Sequence, residues 1–298
     1  MRKPTILKFI FFIAISAAFQ IVLNELWYYF FYREKPNIVN NNSGEYFDPS
    51  LMRLSSISRF VGYCDSVYGN KKIQASDSEY YSTIISMTLR GRFYHGYSYY
   101  GLGQNFLANV FAPFIHEDLS AIVIPNDILK HPNAACSQQS IVGMEVFKTK
   151  GFSVRKVTFY DKKYGGHFCF EVFYGDKWHY FDPDMEPVLL TMIKLHHPAF
   201  EELEELNKKD SLLYRLYPKK NKEYVGHVFG SFFYGKINKF PAPNARIYQY
   251  ITKYLSYTLW FWLILLYFFV RKRLNILNKK KKETCVELQA SLVPEVKI

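Results

Sequence analysis

Three residue types that can together carry out nucleophilic chemistry lie within fifty positions of one another. Cys136 sits in "NAACSQQS", His167 opens "HFCFEVF", and Asp182 and Asp184 follow in "YFDPD". A cysteine attacks an acyl carbon as its thiolate, so it needs a base to take its proton and later return it to the leaving group. A carboxylate on the far side of the base fixes its tautomer and stabilises its cation. The question is whether the elements around these residues can bring them together.

Pro132 and Asn133 precede a helical pattern in which Ile141, Val142, Met144, Val146 and Phe147 form the apolar surface and Gly151 the stop. Asn133 is the expected cap, which places Cys136 in the first turn. There the unpaired backbone N–H groups and the helix dipole favour a thiolate. "GFSVRKVTFY" reads as a strand with imperfect alternation. In the next strand His167, Cys169 and Glu171 share one face while Phe168, Phe170 and Val172 share the other. "YGDK" at 174–177 is a turn signal, so this strand and "KWHYF" form an antiparallel hairpin. If Tyr174 pairs with Lys177, His167 comes opposite Asp184. A slightly longer loop brings Asp182 there instead, and local geometry leaves both open.

Cys136 at a helix start, the "GFSVRKVTF" strand, His167 opening "HFCFEVF" and "FDP" after "KWHYF" together resemble the transglutaminase-like superfamily, a branch of the papain-like cysteine fold. The resemblance covers about residues 85–187. It implies an α+β core in which a helix-borne Cys packs on an antiparallel sheet. It also implies peptidase, amidase or acyl-transfer chemistry through a thioester, without a cofactor or metal. "FDP" matches the family's Asp element and favours Asp182. Papain-like enzymes can use an upstream Gln beside the backbone N–H of the Cys to bind the oxyanion. Gln104 in "GLGQN" is the candidate here and Asn105 its rival. "CSQQ" departs from the C-W and C-x-D contexts of better-known branches, which bears on substrate and transferase activity more than on the triad.

Residues 5–23 are almost continuously apolar, with the character continuing through "WYYFFY" at 27–32, and residues 254–270 form a second such run. At about 1.5 Å per residue each can approach the roughly 30 Å of a bilayer's hydrocarbon layer. Basic residues flank both: three between positions 1 and 8, and seven between Arg271 and Lys282. By the positive-inside rule both ends face the cytoplasm and residues 33–250 lie across the membrane. The expected organisation is a cytoplasmic N-terminus (1–8), a span (9–31), a linker or elaboration (32–84), the core (85–187), an extension (188–250), a second span (254–270) and a basic tail (271–298). A cleaved signal sequence ending near Ser16, Ala17 and Ala18 is the alternative for the first segment and leaves the middle on the same side. The tails supply +8 of the net charge of +12, from eleven basic residues against three acids. The basic balance therefore reflects topology and gives no support to nucleic-acid binding, since no basic stripe interleaved with aromatics accompanies it.

Helices are also expected over 77–92, capped by Asp77 or Ser78; over "GQNFLANVFAPFIH", interrupted by Pro113; and over 200–217. Pro241 and Pro243 stop the second span's helix from extending upstream. Cys169 is expected to pack beside the site or to bridge to Cys64. His196 and His197 read as a surface pair, and Arg90 and Arg92 as solvated or ion-paired. Trp178, Tyr180 and Phe181 either line a groove or pack the hairpin. A metal centre is disfavoured, because no paired-Cys spacing accompanies His167, Cys169, His179 and Asp182. Two functions compete: a membrane-tethered thiol enzyme acting on a peptide, protein or other amide-containing envelope substrate, and a catalytically silent binding or assembly domain. Thiol redox chemistry is a third, disfavoured by the lack of a C-x-x-C pair.

Overall fold

The computed structural model describes residues 3–31, 46–70, 73–74, 77–163, 165–185 and 187–291; the Asn-rich stretch expected to be a linker lies largely outside them. The elements run α1 (Lys3–Phe31), α2 (Ile57–Tyr68), α3 (Ser78–Arg92), α4 (Phe106–Ile115), α5 (Pro125–Ile128), α6 (Cys136–Thr149), β1 (Ser153–Asp161), β2 (Gly165–Tyr174), β3 (Lys177–Phe181), α7 (Leu189–Lys194), α8 (Phe200–Asp210), α9 (Leu212–Leu216), α10 (Lys222–Val228), β4 (Phe232–Tyr234) and α11 (Pro243–Ser291). The fold is α+β around one antiparallel sheet ordered β3-β2-β1-β4.

Alternation along the strands explains the layers. On β2, Phe170 and Val172 face a core built with α2, α3 and α6 through Phe60, Ile85, Leu89, Val142 and Phe147. Cys169 faces a second core made with the extension through Phe200, Leu203, Leu216, Tyr217, Val228 and Phe229. β1 is buried on both sides, Val154 in the first core and Val157 and Phe159 in the second, which is why its sequence alternation is imperfect. Gly143 lets α6 sit close on the sheet: a Cβ there would stand 2.7 Å from the Phe170 ring and 2.9 Å from Leu89 Cδ1.

The β2–β3 turn carries Gly175 and Asp176 at φ +53° and +62°, the left-handed pair of a two-residue hairpin, and Tyr174 pairs with Lys177. Several boundaries differ from the sequence reading. Residues 57–68 form a helix rather than a linker, because Phe60 and Cys64 are fully buried. The expected helix 200–217 breaks at Ser211, which takes φ +50°. Pro113 stays within α4, near its C-terminal end. β4 in the extension, absent from the sequence reading, pairs with β1.

Two helices are long and apolar enough to cross a membrane: α1 over Ile6–Tyr28 and α11 over Pro243–Lys281. They pack against each other antiparallel, Phe11 meeting Tyr267 at 5.1 Å between ring centroids while Glu25 and Tyr257 line one small cavity further along.

Candidate active site

Cys136 is the first residue of α6, whose cap is Ala135 rather than Asn133. Asn133 instead bridges to Tyr94, with Ala134 N–H donating to Tyr94 O at 2.9 Å and Tyr94 N–H to Pro132 O at 2.9 Å. Gln138 then secures the entry. Its Oε1 accepts from Ser98 N–H at 2.8 Å and Ala135 N–H at 3.3 Å, and its Nε2 donates to Ser98 O and Ile122 O, both at 2.8 Å. Ser140 donates to Phe168 O at 2.9 Å, fixing the first turns of α6 beside the start of β2. Gln138 and Gln139 are both buried, so "SQQS" is not a solvent-facing helix surface.

His167 lies in that position on β2. Its Nε2–H donates to Asp182 Oδ2 at 3.0 Å, and a ring nitrogen lies within 4.8 Å of Cys136 Sγ. Nε2 is engaged by Asp182 and stands 3.0 Å from Cys169 Sγ. Cys136 is partly exposed, whereas His167 and Asp182 are buried beneath it. His167 thus neighbours both Cys136 and Asp182. Asp184 is the near neighbour: its Oδ1 accepts from His95 Nδ1 at 2.6 Å and from Gln139 Nε2 at 3.2 Å.

Charge is stabilised in this buried place by donors around Asp182. Burial opposes its ionisation, but His167, the Met185 N–H at 3.1 Å and the Tyr217 hydroxyl at 3.0 Å outweigh that and hold the carboxyl at about 2. Burial likewise opposes protonation of His167. Cys169 and Asp182 beside the ring, with the Asp182 hydrogen bond, outweigh it and push the imidazole well above its ordinary value. Burial also pushes the Cys169 thiol up, with Asp182 adding to the shift and His167 and Tyr180 opposing it. Tyr180 donates to Cys169 Sγ at 3.1 Å, and its hydroxyl lies 3.3 Å from that of Tyr217.

The extension supplies residues that sequence reasoning missed. Tyr217 supports Asp182, Phe229 meets the His167 ring edge-on at 6.0 Å opposite Phe159, and the half-buried Tyr224 interacts with His167, Asp184, Cys136 and Asp182. Aromatic residues following the hairpin were the available signal, but nothing local told which would turn back onto it.

Gln104 is held elsewhere. Its Nε2 donates to His131 Nε2 at 2.8 Å and its Oε1 accepts from Gly101 N–H at 3.1 Å, and it lines the cavity shared with Glu25, Asp127 and Lys253. Asn105 caps α4 and donates to Gln249 O and Thr252 Oγ1 on α11. Closer to the thiol, Tyr97 precedes Ser98, whose backbone pairs with Gln138 in the first turn of α6.

Other expectations change as well. Cys64, Cys136 and Cys169 are free thiols; Cys64 and Cys169 lie in cores on opposite faces of the sheet, which excludes their bridge. Arg92 is buried, donating to His131 O and Leu129 O rather than facing solvent. His196 is exposed and bound to Glu79, but His197 is buried on Phe181, and burial lowers its pKa to about 4. Tyr180 and Phe181 pack the cores and line no groove. Metal-ligand atoms do cluster: Cys136, His167 and Asp184 within 4.8 Å of one another, and likewise His167, Cys169 and Asp182. Both sets use His167, and the second is fully buried.

Models of known protein families give no match to this chain, and no solved structure matches. The RecBCD enzyme subunit RecC of Buchnera aphidicola subsp. Baizongia pistaciae (strain Bp) is 35% identical over 66 residues, which is 22% of this chain. The chain spans 6% of that subunit's length, a similarity too local to carry a role across.

Proposed function

We propose that the chain is a membrane-tethered thiol enzyme that cleaves or transfers an acyl group through Cys136, His167 and Asp182, on a core of the transglutaminase-like type. The observation that carries this reading is the cluster itself: a partly exposed Cys at a helix start, its sulfur within 4.8 Å of a ring nitrogen of a buried His whose Nε2 donates 3.0 Å to a buried carboxylate. His167 takes the Cys136 proton as sulfur attacks the acyl carbon, and the carbonyl electron pair moves to oxygen. The N–H groups at the start of α6 face that charge. Collapse forms the thioester and expels the amine or alcohol, which takes the proton from His167. Water or an acceptor amine then attacks the thioester, gives its proton to His167, and returns sulfur as the leaving group. Asp182 keeps the imidazole in one tautomer throughout.

The antiparallel packing of α1 and α11 supports a hairpin-like pair of spans, with both ends of the chain on one side. The basic flanks assign that side to the cytoplasm and the Cys136 domain to the opposite face. The substrate class is then an amide or ester of the cell envelope.

The test is selective alkylation of Cys136 in the detergent-solubilised chain by a thiol-directed fluorescent probe, mapped by mass spectrometry. Labelling of Cys136 over Cys64 and Cys169 that falls by about 10²-fold or more in His167→Ala is the expected result, the span of a positioned general base. Labelling unchanged in a folded His167→Ala variant overturns it and leaves the silent binding domain. For turnover, envelope extract incubated with wild type and Cys136→Ala is compared by mass spectrometry. Hydrolysis gives cleaved products, transfer gives exchanged ones, and a pure binder gives neither.

A further inference from the structure

The apolar surface of the molecule does not end with its two long helices. α4 contains no charged residue and leaves Phe111, Phe114 and Ile115 exposed, Phe114 at 84%, with Leu102 exposed just before it. Exposed aromatics grouped on one short helix mark a surface that meets something apolar. What it meets is indicated by how α4 is fastened. Glu25 of α1 accepts the Phe106 N–H at 3.0 Å, and Ser256 of α11 accepts the Leu107 N–H at 3.1 Å. Asn105 at its cap reaches Gln249 O at 3.0 Å and Thr252 Oγ1 at 3.1 Å. Glu25 lies near the end of the apolar stretch of α1, and Ser256 lies at the start of the run from 254 to 270. α4 therefore springs from the level at which both long helices leave their apolar length, and its exposed face continues their surface sideways.

Aromatic residues lead from that level to the thiol. Asn109 of α4 donates to Tyr100 O at 2.6 Å. The neighbouring Tyr99 is half exposed and packs on Tyr97 at 5.7 Å between centroids. Tyr97, also half exposed, precedes Ser98, whose backbone is held at 2.8 Å by Gln138, two residues beyond Cys136 on α6. Tyrosines combine an apolar ring with a polar tip and suit a bilayer's interfacial zone.

We propose that α4 lies in the interface of the bilayer with Phe111, Phe114 and Ile115 in the acyl layer, and that Cys136 acts on an amide or ester carried by a lipid-anchored molecule delivered along Tyr99 and Tyr97. The proposal rests on the long helices being spans and on Cys136 being the nucleophile, and it narrows the substrate to one held in the leaflet. α4 presents a stripe of large apolar side chains and is fixed to both long helices.

The test uses the full chain in lipid nanodiscs containing a phospholipid with a photoactivatable diazirine on its acyl chain. Adducts on the 106–115 peptide along with those on α1 and α11 are the expected result. Adducts on the long helices but none on 106–115 overturn the insertion of α4, whereas no adducts on either long helix overturn the spans themselves. A second arm compares Cys136 labelling by a maleimide on a long alkyl chain and by a water-soluble maleimide. In the Phe114→Asp/Ile115→Asp double variant, which alters only exposed side chains, the lipid-borne reagent should slow by about tenfold, equal to 1.4 kcal/mol, while the soluble one keeps its rate. An unchanged ratio of the two rates refutes delivery from the leaflet. Failure of the nucleophile shows separately, as slow labelling by both reagents that His167→Ala leaves unaltered.

Discussion

Asp182→Asn tests the relay most directly, because the substitution keeps the shape while it removes the charge and turns one of the two acceptor oxygens into a donor. The carboxyl is held at about 2 against an ordinary 3.8, a difference of about 1.8 that corresponds to about 2 kcal/mol favouring the ionised form in the fold. For a group whose folded value is lowered, that stability is present above 3.8 and is lost as pH falls through about 2. The raised His167 reports the same pair from its other side: its contribution is complete below 6.5 and is lost as pH rises through the raised folded value. The two are therefore not added. Denaturant unfolding of the solubilised chain should show Asp182→Asn about 2 kcal/mol less stable than wild type at pH 7, with the gap closing toward pH 2. Alkylation of Cys136 gives the functional reading. Without its counter-charge the imidazolium loses its proton at lower pH, so the limb of the rate profile that reports His167 moves down. The rate at pH 7 should fall by about 30-fold, the factor that about 2 kcal/mol represents. A stability gap equally large at pH 2 and pH 7, or a wild-type rate profile in the folded variant, would refute the charge argument.

Gly143→Ala places a methyl 2.7 Å from the Phe170 ring, so it should cost about 1–3 kcal/mol by overpacking and slow Cys136 labelling as α6 is pushed off the sheet; denaturant unfolding and the probe assay read the two effects. His197→Phe keeps the stacking on Phe181 and removes a buried imidazole lowered to about 4. Wild-type stability should fall as pH drops from 6.5 to 4, where the unfolded chain binds the extra proton, and that slope should be absent in the variant by denaturation at stepped pH. Zn²⁺ should protect Cys136 from alkylation, since its thiol, His167 and Asp184 present ligand atoms within 4.8 Å, and labelling should return on adding a chelator; Asp184→Asn should weaken this protection while leaving metal-free labelling intact.

What could be read from the sequence was whatever depends on short-range periodicity. The Gly175–Asp176 turn fixes the hairpin register, alternation on β2 puts His167 and Cys169 on one face, and the apolar pattern after Pro132 puts Cys136 in a helix's first turn, although the helix starts two residues later than an Asn133 cap would give. The choice between Asp182 and Asp184 was not local. Counting pairs from Tyr174 and Lys177 places Asp184 opposite His167, but β3 ends at Phe181 and the chain turns, so that Asp182 reaches Nε2 while Asp184 goes to His95. The Gln104 expectation failed to bring that residue to the thiol for a related reason. A donor defined by its distance upstream carries no information on which neighbour claims it, and here Gly101 and His131 do. His197 and Arg92 show the same limit, since burial of a polar side chain is set by elements far along the chain.

The extension illustrates how charge, rather than local pattern, decides what belongs to the site. A boundary drawn at residue 187 would leave Val157, Phe159, Cys169 and Tyr180 without the second core, and Asp182 without the Tyr217 hydroxyl. A buried carboxylate that loses a donor loses part of what keeps it ionised, and the imidazole it supports then titrates lower. The second core and the relay are thus one requirement. The helices that bury the far face of the sheet also carry the hydroxyl that lets a negative charge persist there, so the residues after Pro187 hold the Asp182 carboxylate as much as they complete the fold.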